Sequence, residues 1–189
     1  LCDALTDWTA AELTTQKVSF ERNFIIGFWN SGTYRLSNPL PPGELTKGTL
    51  LDILPFEDEA AILAMKGREI LSMAKAITAY GVAKKEFILQ MSSNLRWANS
   101  VFEIQGPDSK WTPLDADKEY WITMDHWLAS NGFDLPEVQN ALKKEKKLTP
   151  AMRDERDVLE KYLTPYLTGP CVNLLHKAEA LLFSEFDWE

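Results

Sequence analysis

Histidine and cysteine are scarce in this chain: two of each among 189 residues. Two cysteines, Cys2 and Cys171, cannot define a disulfide framework, and a buried free thiol is the simplest reading of each. The two histidines, His126 and His176, stand in different contexts and form no H-x-x-x-H pair or other ligand-spaced cluster, so no metal site is expected within this chain. Also missing are the G-x-S-x-G nucleophile elbow, the P-loop and the dinucleotide fingerprint. Cys171, after Gly169-Pro170, has no positioned histidine or basic cluster in sequence, which argues against a thiol nucleophile. No apolar run approaches the roughly 18 residues of a membrane-spanning helix, so none is expected. No stripe of Lys and Arg runs along the chain, and the formal net charge is −8. A phosphate-backbone binder needs a basic face, so nucleic acid is not an expected partner. The one basic run, Lys143 to Lys147, is diluted by Glu145 and reads as a solvated helix end. No asparagine starts an N-x-Ser/Thr glycosylation site, and with the low cysteine count this points to an intracellular protein. No signal peptide is visible, and the first residue is Leu1 rather than Met.

What is present suits a soluble globular protein. The length allows one domain with a proper core, or one domain with an appendage. Hydrophobic residues make up 45%, with seven Trp and nine Phe, enough large rings for a substantial core, a binding surface, or both. Leu1, Leu5 and Trp8 share one face of a helix expected over residues 1–15. Asn23 to Trp29, NFIIGFW, reads as a buried strand from its continuous apolar run. The loop Ser37 to Gly43 holds three Pro and a Gly, which excludes helix and central strand. Thr46 is the expected N-cap of a short helix over Lys47 to Ile53.

A strand over Ala60 to Met65 should lead through Lys66-Gly67 into a helix from Arg68 to Tyr80, with Ile70, Leu71, Ala74 and Ile77 inward. Phe87 to Met91, Ser100 to Ile104 and Tyr120 to Met124 are further strand candidates, and Gly106-Pro107-Asp108-Ser109 is a turn signal. Leu135 to Leu142 and Arg153 to Leu163 read as helices. The last 26 residues open with Pro165 and the Gly169-Pro170 breaker, then offer an amphipathic helix, CVNLLHKAEALLF. Strands and helices interleave without a regular βαβ rhythm, so the fold class is α+β.

The segment Asn30 to Phe56, NSGTYRLSNPLPPGELTKGTLLDILPF, places an Asn, a Gly and an Arg on one turn and ends in a Pro55-Phe56 corner. It resembles the C-terminal, substrate-recognition domain of the 5'-nucleotidase and UDP-sugar hydrolase family, where the same stretch reads roughly N-G-G-G-I-R, then p-x-G-x-I-T-x-x-D-L, then L-P-F. Other pieces follow in the family's order. Leu1 to Leu5 resembles the end of G-N-L-x-x-D-A-L, which implies a missing upstream segment. Met65 to Leu71 resembles l-x-G-x-x-l-x-x-a-l, and Phe87 to Ser92 resembles f-L-Q-V-S-G. Pro113 to Tyr120 resembles p-l-d-p-d-k-x-Y, and Asp125 to Gly132 resembles n-d-F-L-a-x-G-G-D. The likeness spans about residues 1–163. It implies a layered α/β sandwich with mixed sheets over 1–163 and a helical extension over 164–189 that has no counterpart in the family.

The resemblance also implies a site. A base or similar planar group would sit between Phe56 and Trp127, since every base has a π-face that a ring can stack on. The alternative is that both rings are core aromatics. Asn30 and Arg35 would orient the nucleoside and its phosphate side, a guanidinium being a planar fork for oxygens. The plain alternatives are an Asn that stabilises its own turn and an Arg in a surface ion pair. Gly32 is expected to supply a positive φ. The family's glycine-rich turn is filled here by Ser31, Thr33 and Tyr34, which could reshape the pocket. Asp134 matches the family aspartate only with one residue inserted. His126, beside Trp127, reads as structural, with a rim role as the alternative, and His176 as a packing or surface residue of the tail helix.

The family's phosphoester chemistry uses a divalent metal pair in a separate N-terminal domain, and those ligands are not in this chain. Two readings result. One is the nucleotide- or nucleoside-binding domain of a metallophosphoesterase, partnered by a catalytic domain that is absent here. The other is a non-catalytic structural or interaction module, with a protein partner docked through the 164–189 helix. An open slot between Phe56 and Trp127 with Arg35 at its mouth favours the first, and a slot filled by Thr33 or Tyr34 favours the second.

Overall fold

The apolar run ahead of Asn30 forms a strand at the centre of a sheet. In this computed structural model the described residues are 1–35, 46–84, 89–98, 101–143 and 146–167. The Pro-rich loop expected over 37–43, the starts of the strands expected at Phe87 and Ser100, and the tail helix with Cys171 and His176 lie outside them. The strands are, in chain order, β1 (Ile25–Asn30), β2 (Glu59–Lys66), β3 (Leu89–Met91), β4 (Leu95–Ala98), β5 (Val101–Gln105), β6 (Trp111–Pro113), β7 (Glu119–Asp125) and β8 (Lys146–Asp154). The helices are α1 (Cys2–Thr15), α2 (Lys47–Ile53), α3 (Gly67–Lys84), α4 (His126–Asn131), α5 (Pro136–Leu142) and α6 (Glu155–Leu167).

Five strands form a mixed sheet in the order β3-β1-β7-β2-β8, and β4-β5-β6 form a small antiparallel sheet. Strand β1 runs parallel to β7, with Ile26 opposite Ile122, and antiparallel to β3. Strand alternation sends Ile26, Phe28, Met65, Ile122 and Met124 to one face, where they pack with Ile70, Met73 and Ile77 of α3, Val138 of α5 and Phe102 of the small sheet. Trp29, Ala60 and Ile62 face the other way, onto Leu5 and Trp8 of α1 and Val158 of α6. Both faces of β1 are therefore covered, which is why its sequence is apolar without alternation. Each fully buried Leu, Ile or Phe contributes roughly 1.5–3 kcal/mol relative to exposure, so these two clusters hold the layers together. Helix α1 depends on that burial, having no side-chain cap at its start.

This is the layered sandwich expected, with several corrections. Leu71 is only partly buried and Met73 takes the inward place, because α3 presents positions 70, 73, 74 and 77 to the sheet. The basic run is not a helix end: α5 stops at Leu142, and Lys146 and Lys147 open edge strand β8. The last described helix starts at Glu155 rather than Arg153 and runs to Leu167. Strands β4 and β6 were not expected from sequence. Among the described residues, no helix is long and apolar enough to cross a membrane.

Candidate functional site

Strands β1 and β7 are parallel neighbours, so their carboxyl ends open at the same edge of the sheet. Each ends in a side chain that caps the next turn. Asn30 closes β1 and its Oδ1 accepts the Gly32 backbone N–H at 2.8 Å, starting a short 3-10 turn over Ser31–Thr33. The alternative reading of Asn30, a side chain that stabilises its own turn, is thus present, and the amide Nδ2 is the group left for a ligand. Gly32 does not have positive φ; among the described glycines, Gly132 does. Gly32 sits in a tight space instead, since a Cβ there would lie 3.0 Å from the Asn30 Oδ1. Asp125 closes β7 and its Oδ1 accepts the Leu128 N–H at 2.5 Å, capping α4. Helix α4 ends on Gly132 in the left-handed region, with φ 58°.

Thr33 is buried, accepting the Trp29 indole N–H at 3.0 Å and donating to the Asn30 carbonyl at 3.0 Å. Tyr34 turns the other way and packs against the α1–α6 cluster. The Arg35 backbone N–H then donates to the Ile53 carbonyl at 3.0 Å, tying this turn to the end of α2. Thr46 caps α2 as expected, in a reciprocal pairing with Thr49. Leu54 is buried beyond it, and the Pro55-Phe56 corner places the Phe56 ring at the surface.

These turns enclose a cleft of about 250 Å³ lined by Asn30, Gly32, Thr33, Phe56 and Trp127, with Asp58 and Asp125 completing it. Phe56 and Trp127 come from different elements and are 41% and 44% exposed, among few large apolar side chains on this surface. Four of the six expected residues are thus brought together. Arg35 does not line the cleft. Its guanidinium lies 4.7 Å from the centre of the Phe56 ring and donates to the Gly32 and Tyr34 carbonyls. Asp134 is exposed on the 3-10 turn after α4, with φ 57°, and is not part of the lining. His126 pairs with Ser130 at 3.3 Å outside the cleft. A larger groove of about 340 Å³ lies between α1 and the turn before β4. Its charged walls are already paired, Arg22 with Asp7 and Asp3 with the Ser93 N–H, so it has less to offer a ligand.

The carboxyl groups were the residues that sequence reasoning missed. Asp125 is buried and its Oδ2 has no hydrogen-bond partner. Burial raises its pKa to about 6, with Asp58 adding to the rise and the backbone N–H groups of Leu128 and, more weakly, Asn30 opposing it. Glu155, the first residue of α6, is fully buried with neither oxygen partnered. Burial, then Asp58, Asp125 and Asp154, lift its pKa to about 9, so it is protonated at neutral pH. Asp58 is raised as well, by burial and by Asp154. Its backbone carbonyl accepts the Glu155 N–H at 3.1 Å. Arg156, the cation that acts on Glu155, is committed to a two-pronged pairing with Asp154. The one signal available in sequence was Asp125 standing immediately before a short helix, where Asp is a preferred cap. Among the described residues, no group of three or more His, Cys, Asp or Glu is placed to hold a metal ion.

A family model described as 5'-nucleotidase, C-terminal domain, matches residues 1–139. The curated proteins yield no match. Among solved structures, the 5'-nucleotidase precursor of Thermus thermophilus is similar over 87% of this chain and 32% of its own, with 21% identity and a TM-score of 0.62. The NAD nucleotidase of Haemophilus influenzae is similar over 86% of this chain and 30% of its own, with 14% identity and the same TM-score, 0.62. Both share the fold, and this chain spans about a third of the length of either.

Proposed function

Because the chain belongs to the 5'-nucleotidase C-terminal domain family, we propose that its cleft holds the ring of a nucleotide or nucleoside between Phe56 and Trp127, as the recognition part of a 5'-nucleotidase-type phosphoester hydrolase. One observation carries this reading: two half-exposed aromatic rings from separate elements line a single cleft, and neither is in the core. Tyr34 supports it by packing into the α1–α6 cluster rather than into the cleft. Asn30 offers its amide nitrogen to the ligand, and Arg35, released from its carbonyl partners, reaches ribose or phosphate oxygens at the mouth. No part in ring binding is assigned to Asp134. Hydrolysis itself is assigned to a divalent metal pair in a separate N-terminal domain. The described residues of this chain do not suit such a pair, so they bind and orient and no bond-breaking step is placed on them.

Stacking contributes on the order of 1–3 kcal/mol per ring in nucleic-acid systems, so adenosine should bind the 189-residue chain in the millimolar range or better. The binding should quench tryptophan fluorescence, and Trp127→Ala should remove that component while Phe56→Ala weakens it. No saturable change at millimolar adenosine would refute ring binding by this cleft.

The second reading, an interaction module without a ligand, draws on one feature. No Lys or Arg lines the cleft, and Arg35 is engaged elsewhere. Titrating AMP beside adenosine separates the two readings, because a phosphate that recruits Arg35 makes AMP the tighter ligand.

A further inference from the structure

The walls of the cleft account for stacking, but its floor has a chemistry that stacking does not need. The two ionisable groups in the lining are Asp58 and Asp125, both acidic. Asp125 is 1% exposed, its Oδ1 is held by the Leu128 N–H, and its Oδ2 has no partner. Buried acceptors are normally paired, and one left unpaired carries an uncompensated desolvation cost. Glu155 cannot relieve this, since its own carboxyl oxygens make no hydrogen bond to any described group. Nor does the basic residue beside the cluster, because Arg156 is bound to Asp154. Asp125 also lines the aromatic-walled cleft, so a donor carried on a ligand there is the group that would complete its unpaired oxygen.

We propose that Asp125 is the specificity-determining acceptor of this cleft, selecting planar rings that carry an N–H donor, above all an exocyclic amino group, on the edge that enters it. The inference rests on the ring-binding reading above and adds the class of ring. A ring with an amino group on that edge pairs Oδ2 and removes the cost. A ring with no polar group there stacks equally well but leaves Oδ2 unpaired. A ring with only carbonyl oxygens on that edge sets acceptor against acceptor, with Asp58 adding like charge. Discrimination of this kind is larger than stacking can supply, because a site with a buried unpaired group rejects the ligand that lacks the matching atom.

The test compares two nucleosides that differ by one group, adenosine and purine riboside, which lacks the 6-amino group. Both are titrated against the 189-residue chain by tryptophan fluorescence. Hydrogen bonds to charged groups are strong enough that adenosine should bind at least about tenfold more tightly. Asp125→Asn is the informative variant. Its side-chain oxygen still caps α4 through the Leu128 N–H, so its amide nitrogen takes the place of Oδ2 and presents a donor where the wild type presents an acceptor. The adenosine preference should fall to about one or below while purine riboside still binds. Equal saturable binding of both nucleosides to the wild type overturns the inference and leaves ring binding standing. No saturable binding of either overturns both. The wild-type comparison decides the matter even if the variant does not fold.

Discussion

Glu155 gives the structure its sharpest thermodynamic consequence. Its carboxyl is fully buried and unpartnered, faced by Asp58 from the start of β2, Asp125 from the end of β7, and Asp154 and Arg156 from its own segment. In the unfolded chain it titrates near 4.5 and in the folded chain near about 9. Between those values the native state holds a proton that the unfolded state has lost, so stability is full below the lower value and declines as pH rises toward the upper one. The limiting slope is about 1.4 kcal/mol per pH unit, which accumulates to roughly 4 kcal/mol by about pH 7.5. Glu155→Gln keeps the volume and abolishes the titration. The variant should match wild type near pH 5 and exceed it increasingly above, by several kcal/mol and on the order of 10 °C in Tm by about pH 8. Asp125 adds a change of the same sign between its ordinary range and about 6, and so does the general repulsion of an acidic chain. Both are common to the two proteins and cancel in the difference. Urea and thermal unfolding of wild type and variant across that pH range provide the assay. Parallel stability curves would refute a protonated Glu155 in the native state.

Two other perturbations probe the turns that build the cleft. Thr33→Val keeps shape but removes the acceptor of the Trp29 indole N–H, which is buried; leaving that donor unsatisfied should cost about 1–3 kcal/mol in urea unfolding, and a loss near zero would show that the pairing is immaterial. Gly132→Ala puts a Cβ at φ 58° and 3.0 Å from the Val138 Cγ1. About 1 kcal/mol or more of stability should be lost in thermal unfolding, and ring binding should weaken because α4 carries Trp127.

The fold was legible wherever a segment's own chemistry matched its place. β1 announced itself by an unbroken apolar run because both of its faces are covered, α2 by the Thr46 cap, and α3 by its helical period. The strands that escaped notice have no such signature. β4 and β6 are short, with solvent on much of their surface. β8 is an edge strand whose sequence, KKLTPAMRD, holds the lysines and the proline that edges tolerate and centres do not. Its pairing with β2 slips between Ala60 and Ile62, so Pro150 falls where no ladder partner is required. A charged run with a proline is easily taken for a loop, and only the neighbouring β2 makes a strand of it.

The cleft divides along the same line. Asn30, Gly32, Phe56 and Trp127 could be found because each sits in a local pattern: a turn, a corner, the first turn of a helix. Asp58 and Glu155 could not, because nothing in their own neighbourhoods distinguishes them from surface carboxylates, and the neighbourhood of Asp125 signals only a helix cap. Burial and one another's charge change their chemistry, and both come from segments distant in sequence, as where the Glu155 N–H donates to the Asp58 carbonyl. Asn30 and Asp125 show how the two halves join. They end adjacent parallel strands, and each uses one side-chain atom to cap the turn that follows. Each leaves its other side-chain atom outside that bond, an amide donor on Asn30 and a carboxylate acceptor on Asp125, and both residues line the cleft. Turn-forming residues at the ends of parallel strands thus provide a donor and an acceptor side by side, fixed by backbone hydrogen bonds before any ligand arrives. Such preorganisation would spare a ligand the ordering cost it otherwise bears, and on the proposed reading the choice of ring is a property of the fold's edge rather than of its exposed aromatics.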